Sequence, residues 1–94
     1  MVRRQIRVTG LVQGVGFRWF AQQNAARLGL TGWVENQEDG SVIMEIQGEE
    51  HGVEHFTGAV AQGPRYARVE SIETLHREPN PDERAFGVRD GWLF

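Results

Sequence analysis

A chain of 94 residues is long enough for one small domain, and its formal net charge of −3 makes it mildly acidic. It contains no cysteine, which excludes disulfide bonds, a thiol nucleophile and a cysteine-based zinc site. No apolar run reaches the roughly 20 residues of a membrane span, and the start of the chain lacks the apolar region of a signal peptide. We therefore expect a single cytoplasmic domain over residues 1–94, without a membrane partner.

All ten basic residues are arginine, so no mechanism in this chain can use a lysine. Nucleic-acid-binding domains usually present a basic face, and the negative net charge argues against one here. We expect no nucleic-acid partner.

The first elements in chain order are a strand and a helix. Residues 4–10 alternate apolar and polar side chains, which is typical of a half-buried strand. The segment 17–30, FRWFAQQNAARLGL, predicts a helix that ends at Gly29. Its apolar stripe consists of Phe17, Phe20, Ala21, Ala25 and Leu28.

A β-hairpin is predicted next. TGWVEN (31–36) and SVIMEIQG (41–48) have strand patterns, and Asp39-Gly40 between them favours a turn with positive φ. The segment 49–64 predicts a second helix, with an acidic first turn and an apolar stripe of Val53, Phe56 and Val60.

Two strands complete the sequence. In the long strand 67–78 the apolar positions change parity between Val69 and Ile72, which predicts a bulge. AFGVRD (85–90) is a short final strand. The order β-α-β-β-α-β predicts an α+β ferredoxin-like sandwich, in which an antiparallel sheet carries both helices on one face.

The stretch GLVQGVGFRWF, residues 10–20, has the composition of an anion site, since a glycine-rich turn between a strand and a helix directs backbone N–H groups at a ligand. Known phosphate loops do not fit: there is no lysine for a Walker loop, Trp19 replaces the third glycine of a dinucleotide fingerprint, and Val12 stands where a phosphatase cysteine would be. On spacing alone, a tight turn with a solvated Arg18 remains open.

Three segments resemble the acylphosphatase family. Val12-Gln13-Gly14-Val15-Gly16-Phe17-Arg18 is similar to the family's phosphate-binding loop and arginine, without a departure. LGLTGWVEN followed by DGSV resembles its second signature, which ends in an asparagine, and QGPRYARVESIE resembles its passage from helix to strand. The family typically closes with a tyrosine, where this chain has Asp90 and GWLF.

The resemblance implies a ferredoxin-like fold and the hydrolysis of acyl phosphates to a carboxylate and phosphate, without metal or cofactor. Arg18 would bind the phosphate together with backbone amides, and Asn36 would hold the attacking water. The residues expected to bind phosphate are Gln13, Gly14, Val15, Gly16, Phe17 and Arg18. We expect a monomer whose partners are an acyl phosphate and, as product or mimic, inorganic phosphate or sulfate.

For several other residues we prefer a structural interpretation to a catalytic or binding one. His51 and His55 match a zinc-peptidase spacing but are predicted to face water on a surface helix, and His76 to be a lone surface residue. The carboxylates of Glu35, Glu38 and Asp39 are predicted to form a solvated hairpin tip. The three tryptophans are predicted to fill the core rather than to stack on RNA bases. They are Trp19, Trp33 and Trp92.

The sequence leaves two alternatives to acyl phosphate hydrolysis open. The same loop could serve a non-catalytic anion-binding or regulatory module, including a detached counterpart of the acylphosphatase-like domain of hydrogenase-maturation carbamoyltransferases. RNA binding ranks third, after hydrolysis and the anion-binding module.

Overall fold

The fold was analysed in a computed structural model, which describes residues 1–89. The predicted order β-α-β-β-α-β, followed by a short strand, is confirmed. The elements are β1 (Val2–Leu11), α1 (Phe17–Leu28), β2 (Thr31–Asn36), β3 (Val42–Gly48), α2 (Glu50–Gln62), β4 (Arg68–Arg77) and β5 (Phe86–Arg89). We call residues 12–16, between β1 and α1, the glycine loop.

The five strands form one sheet in the order β4-β1-β3-β2-β5. The first four strands pair antiparallel, whereas β5 runs parallel to β2, with Gly32 opposite Phe86 and Glu35 opposite Arg89. The prediction of a purely antiparallel sheet is therefore wrong. The physical reason lies in the connection after β4, which leaves one edge of the sheet, crosses to the other edge and enters beside the start of β2.

Both helices pack on one face of the sheet around a single core. Strand alternation and register bring Ile6, Val34 and Met44 side by side on that face. The predicted stripe of α2 is fully buried, while in α1 Phe17, Ala21 and Ala25 are buried and Phe20 and Leu28 only partly.

The predicted bulge in β4 is present. The pairing of β1 with β4 shifts after Thr9, which lies opposite Ser71, to Gly10, which lies opposite Val69. Glu70 is the extra residue, and this shift accounts for the change of parity. Gly10 has a φ of 123°, and a Cβ on it would overlap the carbonyl oxygen of Arg68.

The other face of the sheet, which we call the open face, carries no helix of residues 1–89 and bears many charged side chains beside a few apolar ones such as Leu75. Arg7 pairs with Asp39 and with Glu73 across it. Arg89 pairs with Glu35, 3.2 Å from Nε to Oε1. Most charges on this face are thus matched locally.

One end of the open face holds a buried arginine. Arg3 is 6% exposed; its Nε donates to Glu45 Oε1 at 2.6 Å, and its Nη1 donates to Glu83 Oε1 at 2.9 Å. Gln47 exchanges two hydrogen bonds with the backbone of Asn80. These contacts fasten the connection between β4 and β5 to the sheet. Within residues 1–89, no helix has the length and apolarity to span a membrane.

Candidate active site

A cavity of about 380 Å³ opens where β1 passes through the glycine loop into α1. It is bounded by that loop, the first turns of α1, the end of β2 and one residue of β5. The lining residues are Val12, Gln13, Gly14, Gly16, Phe17, Arg18, Trp19, Gln22, Asn36 and Val88.

The glycine loop is shaped by two glycines in the left-handed region. Gly14 has a φ of 74° and Gly16 a φ of 79°. A Cβ at either position would meet no protein atom within 4 Å, so the backbone conformation, and not crowding, favours glycine here. The space in front of these residues is left open to a ligand.

The amino end of α1 is prepared for an anion. Gly16 caps the helix without a side-chain hydrogen bond, and the first turn contains no acidic residue. In α2, by contrast, Glu50 supplies a negative charge to the first turn. Because a helix amino end carries unpaired N–H groups and partial positive charge, α1 can bind an anion that α2 would repel.

Arg18 occupies the second position of α1 and lines the cavity. No carboxylate of residues 1–89 lies within salt-bridge distance of it, whereas Arg3, Arg7 and Arg89 all have acidic partners. A cation beside a helix amino end is unfavourable unless an anion joins it. The positive charge of Arg18 is therefore available to an anion bound in the cavity.

Asn36 is the last residue of β2 and points to the helix face, opposite Val42. It is 2% exposed, and its Oδ1 accepts no hydrogen bond from any residue that the structure describes. A buried polar atom without a partner is uncommon, because its desolvation costs about 1–3 kcal/mol. The alternation of β2 therefore brings an unused acceptor to the cavity that Arg18 lines.

Gln13 has a second contribution that the sequence analysis missed. Its side-chain Nε2 donates to the carbonyl of Gln37 at 2.7 Å and to that of Ser41 at 2.9 Å. These two carbonyls belong to the hairpin turn directly after Asn36. The amide thus ties the glycine loop to the hairpin, and a lone polar side chain among glycines and valines was the available signal.

The hairpin turn is fixed by Asp39. Its carboxylate accepts hydrogen bonds from the hydroxyl and the backbone N–H of Ser41, and from Arg7. These contacts, the Ser41 hydroxyl foremost, lower the pKa of Asp39 from 3.8 to about 2. Gly40 has a φ of 94°, as the predicted turn requires.

The predicted phosphate-binding residues fall into two groups. Gln13, Gly14, Gly16, Phe17 and Arg18 line the cavity together with Asn36. The structure does not place Val15 among the lining residues, because its side chain packs against the core. Gln22 and Val88 line the cavity without having been singled out in the sequence.

The prediction that the tryptophans fill the core is wrong for Trp19 and for Trp33. Trp19 is 66% exposed at the cavity, because it follows the buried Phe17 by two positions and so lies off the apolar stripe of α1. Trp33 is half-buried on the open face, where the Arg89 guanidinium lies 4.2 Å from its ring centroid. Trp92 lies outside the described residues.

The remaining candidates lie away from the cavity. His51, His55 and His76 are exposed, as predicted, and none of them lines it. Glu35 is not part of a solvated tip, since it pairs with Arg89 and accepts a hydrogen bond from the Gln37 side chain. Within residues 1–89, no group of three or more His, Asp or Glu residues is arranged to hold a metal ion.

Comparison with known proteins agrees with this geometry. The sequence model of the acylphosphatase family matches residues 4–88. An acylphosphatase from Bifidobacterium longum (strain NCC 2705) is 50% identical over 91 residues, which cover 95% of this chain and 93% of that protein. The chain belongs to the acylphosphatase family.

Solved structures support the same assignment. The crystal structure of acylphosphatase from Bacillus subtilis superposes with a TM-score of 0.90 at 35% identity, covering 95% of this chain and 99% of that one. Full-length HypF in its phosphate- and nucleotide-bound form also matches, with a TM-score of 0.86 and 30% identity, but this chain spans only 12% of it. The resemblance to acylphosphatases and the ferredoxin-like sandwich are confirmed.

Proposed function

We propose that this chain is an acylphosphatase in which Arg18 and the glycine loop hold the phosphate of the substrate while Asn36 directs a water at it. The observation that carries the assignment of roles is the shared cavity: a guanidinium without an acidic partner and a buried amide oxygen without a hydrogen bond line the same space. The guanidinium can bind an anion, and the amide oxygen can accept a hydrogen bond from a water.

Phosphate binding uses charge and backbone geometry together. The planar guanidinium of Arg18 donates to two phosphate oxygens. The amides of residues 13 to 18 and the uncapped end of α1 surround the remaining oxygens. These donors are in place before the substrate arrives, so no reorganisation is needed during the reaction.

The hydrolytic step then needs only an oriented water. Oδ1 of Asn36 accepts one hydrogen bond from the water, whose oxygen attacks phosphorus as the bond between phosphorus and the acyl oxygen breaks. The carboxylate leaves with the bonding electrons, and a phosphate oxygen of the substrate takes the proton of the water. An acyl phosphate dianion and water thus yield a carboxylate and dihydrogen phosphate.

This mechanism fits a cavity that lacks a titratable base among its described lining residues. Because a carboxylate is a good leaving group, positioning and charge stabilisation supply most of the acceleration. The mechanism assigns no role to a metal or cofactor. A non-catalytic anion-binding module is disfavoured by relatives that are acylphosphatases over nearly the full chain.

We further infer that residues 1–94 form one domain that acts as a monomer in the cytoplasm. A chain without cysteine suits a reducing compartment, and the ion pairs across the open face do not favour association of two copies there. Light scattering during size-exclusion chromatography measures the state of assembly, and a dimer at micromolar concentration would contradict the inference.

The activity is tested by hydrolysis of benzoyl phosphate in the presence of a chelator. We expect turnover by the wild type and a loss of about 10²–10³ in kcat for Arg18→Ala and for Asn36→Ala. Arg27→Ala is the matched control, because Arg27 is exposed in the last turn of the same helix.

Phosphate binding measured by calorimetry separates the two roles. Arg18→Ala should lose binding of inorganic phosphate, whereas Asn36→Ala should retain it, since Asn36 holds water and not phosphate. Equal hydrolysis by the wild type and both variants would remove the assignment of Arg18 and Asn36. Tight phosphate binding by a wild type without turnover would instead favour the anion-binding module.

A further inference from the structure

Two large apolar side chains stand exposed at the mouth of the cavity. Trp19 is 66% exposed and Val88 is 42% exposed, and they come from the first turn of α1 and from β5. In residues 1–89 only six large apolar side chains are this exposed, and two of them line the same cavity. Apolar surface gathered at a concave site is typical of a ligand contact.

The described lining of the cavity carries charge of one sign only. Among its described lining residues only Arg18 is charged, and the proposed function assigns that charge to the phosphate. Gln22, one turn after Arg18, adds only a neutral amide. No second cation of the described lining remains for the rest of the substrate.

Arg89 does not supply the missing charge, although it follows Val88 directly. Side chains alternate along a strand, so Arg89 points to the open face. There its guanidinium lies over the Trp33 ring and pairs with Glu35. The nearest arginine along the chain is therefore committed on the other side of the sheet.

We propose that Trp19, Val88 and Gln22 form an acyl subsite that binds flat, uncharged acyl groups, aromatic ones above all, and disfavours acyl groups that carry a further anionic charge. This inference rests on the proposed function, because it concerns the other end of the same substrate. An aromatic ring can stack on the Trp19 indole and contact Val88. A second carboxylate or phosphate would lose water without gaining a cationic partner.

The acyl subsite would determine which acyl group is preferred, a choice that the glycine loop does not make. Arg18 and the loop amides grip the phosphate that all acyl phosphates share, so they cannot distinguish one acyl group from another. Discrimination has to come from the side chains around the acyl part, and contact with an apolar surface is worth about 10-fold to 100-fold in kcat/KM.

The experiment compares three substrates: acetyl phosphate, benzoyl phosphate and 4-carboxybenzoyl phosphate. For the wild type we expect kcat/KM for benzoyl phosphate to exceed that for 4-carboxybenzoyl phosphate by about 10-fold or more. In Trp19→Ala the ratio of kcat/KM for benzoyl phosphate over acetyl phosphate should fall about 10-fold, and Trp19→Phe should restore most of it.

Tyr66→Ala is the matched control, since Tyr66 is an aromatic residue that is 72% exposed and does not line the cavity. Its ratios should equal those of the wild type. Val88→Arg provides an independent gain-of-function variant, because it places a cation beside the acyl subsite. The ratio of 4-carboxybenzoyl phosphate over benzoyl phosphate should then rise about 10-fold.

The outcomes separate the inference from the function on which it rests. A wild type that hydrolyses none of the three substrates contradicts the acylphosphatase activity itself. A wild type that hydrolyses all three, with ratios unchanged in Trp19→Ala and in Val88→Arg, retains that activity and overturns the acyl subsite. Equal kcat/KM of the wild type for benzoyl and 4-carboxybenzoyl phosphate also overturns it.

Discussion

Gln13 shows how a single side chain can set the geometry of a site without touching the reacting atoms. Its Nε2 donates to two carbonyls of the turn that follows Asn36, at 2.7 and 2.9 Å. The side chain holds the glycine loop against the hairpin turn that follows Asn36. We regard Gln13 as a positioning residue through this amide, in addition to the expected contact of its backbone N–H with phosphate.

We expect Gln13→Met to lower kcat for benzoyl phosphate by about 10-fold with a smaller change in KM, because the backbone amides remain while the register to Asn36 loosens. Gln13→Glu should be worse, since an ionised carboxylate cannot donate to the carbonyls. Gln23→Met, at an exposed position of α1, is the control. Steady-state kinetics measure both constants, and a Gln13→Glu variant as active as the wild type would exclude the positioning role.

Asp39 gives the hairpin a dependence on acid. Its pKa is lowered from 3.8 to about 2 in the folded protein, so its contribution to stability is complete above about pH 4 and disappears as the pH falls through 2. The stability difference between wild type and Asp39→Asn should therefore be largest at pH 5–6, shrink near pH 3 and disappear only below about pH 2.

Urea unfolding at these pH values measures the difference. Glu38→Gln, at the exposed neighbouring position, should change the free energy of unfolding by less than about 0.5 kcal/mol. A difference for Asp39→Asn that stays constant from pH 6 to pH 2 would show that the carboxylate does not stabilise the turn in its ionised form.

At the scale of the elements, the chain uses glycine for two opposite reasons. Gly10 lies in β1 opposite the bulge, where a side chain would collide with the backbone of β4. Gly58 lies inside α2, and a Cβ there would meet open space. The first glycine is required by close approach of two strands, and the second weakens a helix by its conformational freedom.

We expect Gly10→Ala to lower the free energy of unfolding by at least about 2 kcal/mol and Gly58→Ala to raise it by about 0.5–1 kcal/mol. Chemical denaturation of both variants beside the wild type measures these shifts, and each variant serves as the control of the other. A Gly10→Ala protein as stable as the wild type would mean that the bulge can move along β4.

Most elements could be predicted because their signals are local. The alternation in β2, the stripe of α2 and the change of parity in β4 all lie within a dozen residues. The pairing of β5 could not be predicted, since four residues that alternate fit either edge of a sheet in either direction. The exposure of Trp19 and the bonds of Gln13 depend on which distant segments pack nearby, and no local pattern records this.

The candidate site was predictable to a similar extent. Arg18 and the loop glycines carry a recognisable motif, and the structure brings Asn36 to the same cavity. Val88 could not be found, because it belongs to the strand whose neighbour the sequence did not reveal. The part of the lining at Val88 was therefore missed, while the part formed by Arg18 and the glycine loop was anticipated.

At the scale of the whole molecule, the connection from β4 to β5 is the longest between two elements of residues 1–89. Arg3 binds this connection to the sheet through Glu83. Arg3 lies opposite Gln47, at the end of the sheet where β2 begins, whereas Asn36 lies at the other end. The five residue steps from Thr31 to Asn36 correspond to roughly 17 Å. The Arg3 network and the candidate active-site cavity thus lie at opposite ends of the sheet.

We expect Arg3→Met to destabilise the protein by about 3 kcal/mol, because Glu45 and Glu83 lose their shared cation in a largely buried place. Adding Glu83→Gln should recover part of this loss. Arg77→Met is the control: Arg77 is 46% exposed, and its removal should cost under about 1 kcal/mol. Thermal and urea unfolding measure the stability, and kcat/KM of folded Arg3→Met should equal that of the wild type.

If Arg3→Met costs no more than Arg77→Met, the buried network does not hold the last strand in place. In that case the parallel pairing of β5 with β2 would have to be stabilised mainly by Phe86, whose ring lies 6.2 Å from that of Phe56.

The open face has a consequence for crowded solutions. Arginines and carboxylates interlock across it, as in Arg7 with Asp39 and Arg89 with Glu35, so that neither sign dominates. Two molecules that meet there would have to desolvate charges that already have partners within their own chain, and they would gain hydrophobic contact only from a few side chains such as Leu75 and Trp33. We therefore expect the open face to resist association with copies of the same chain, which leaves the cavity at the glycine loop free.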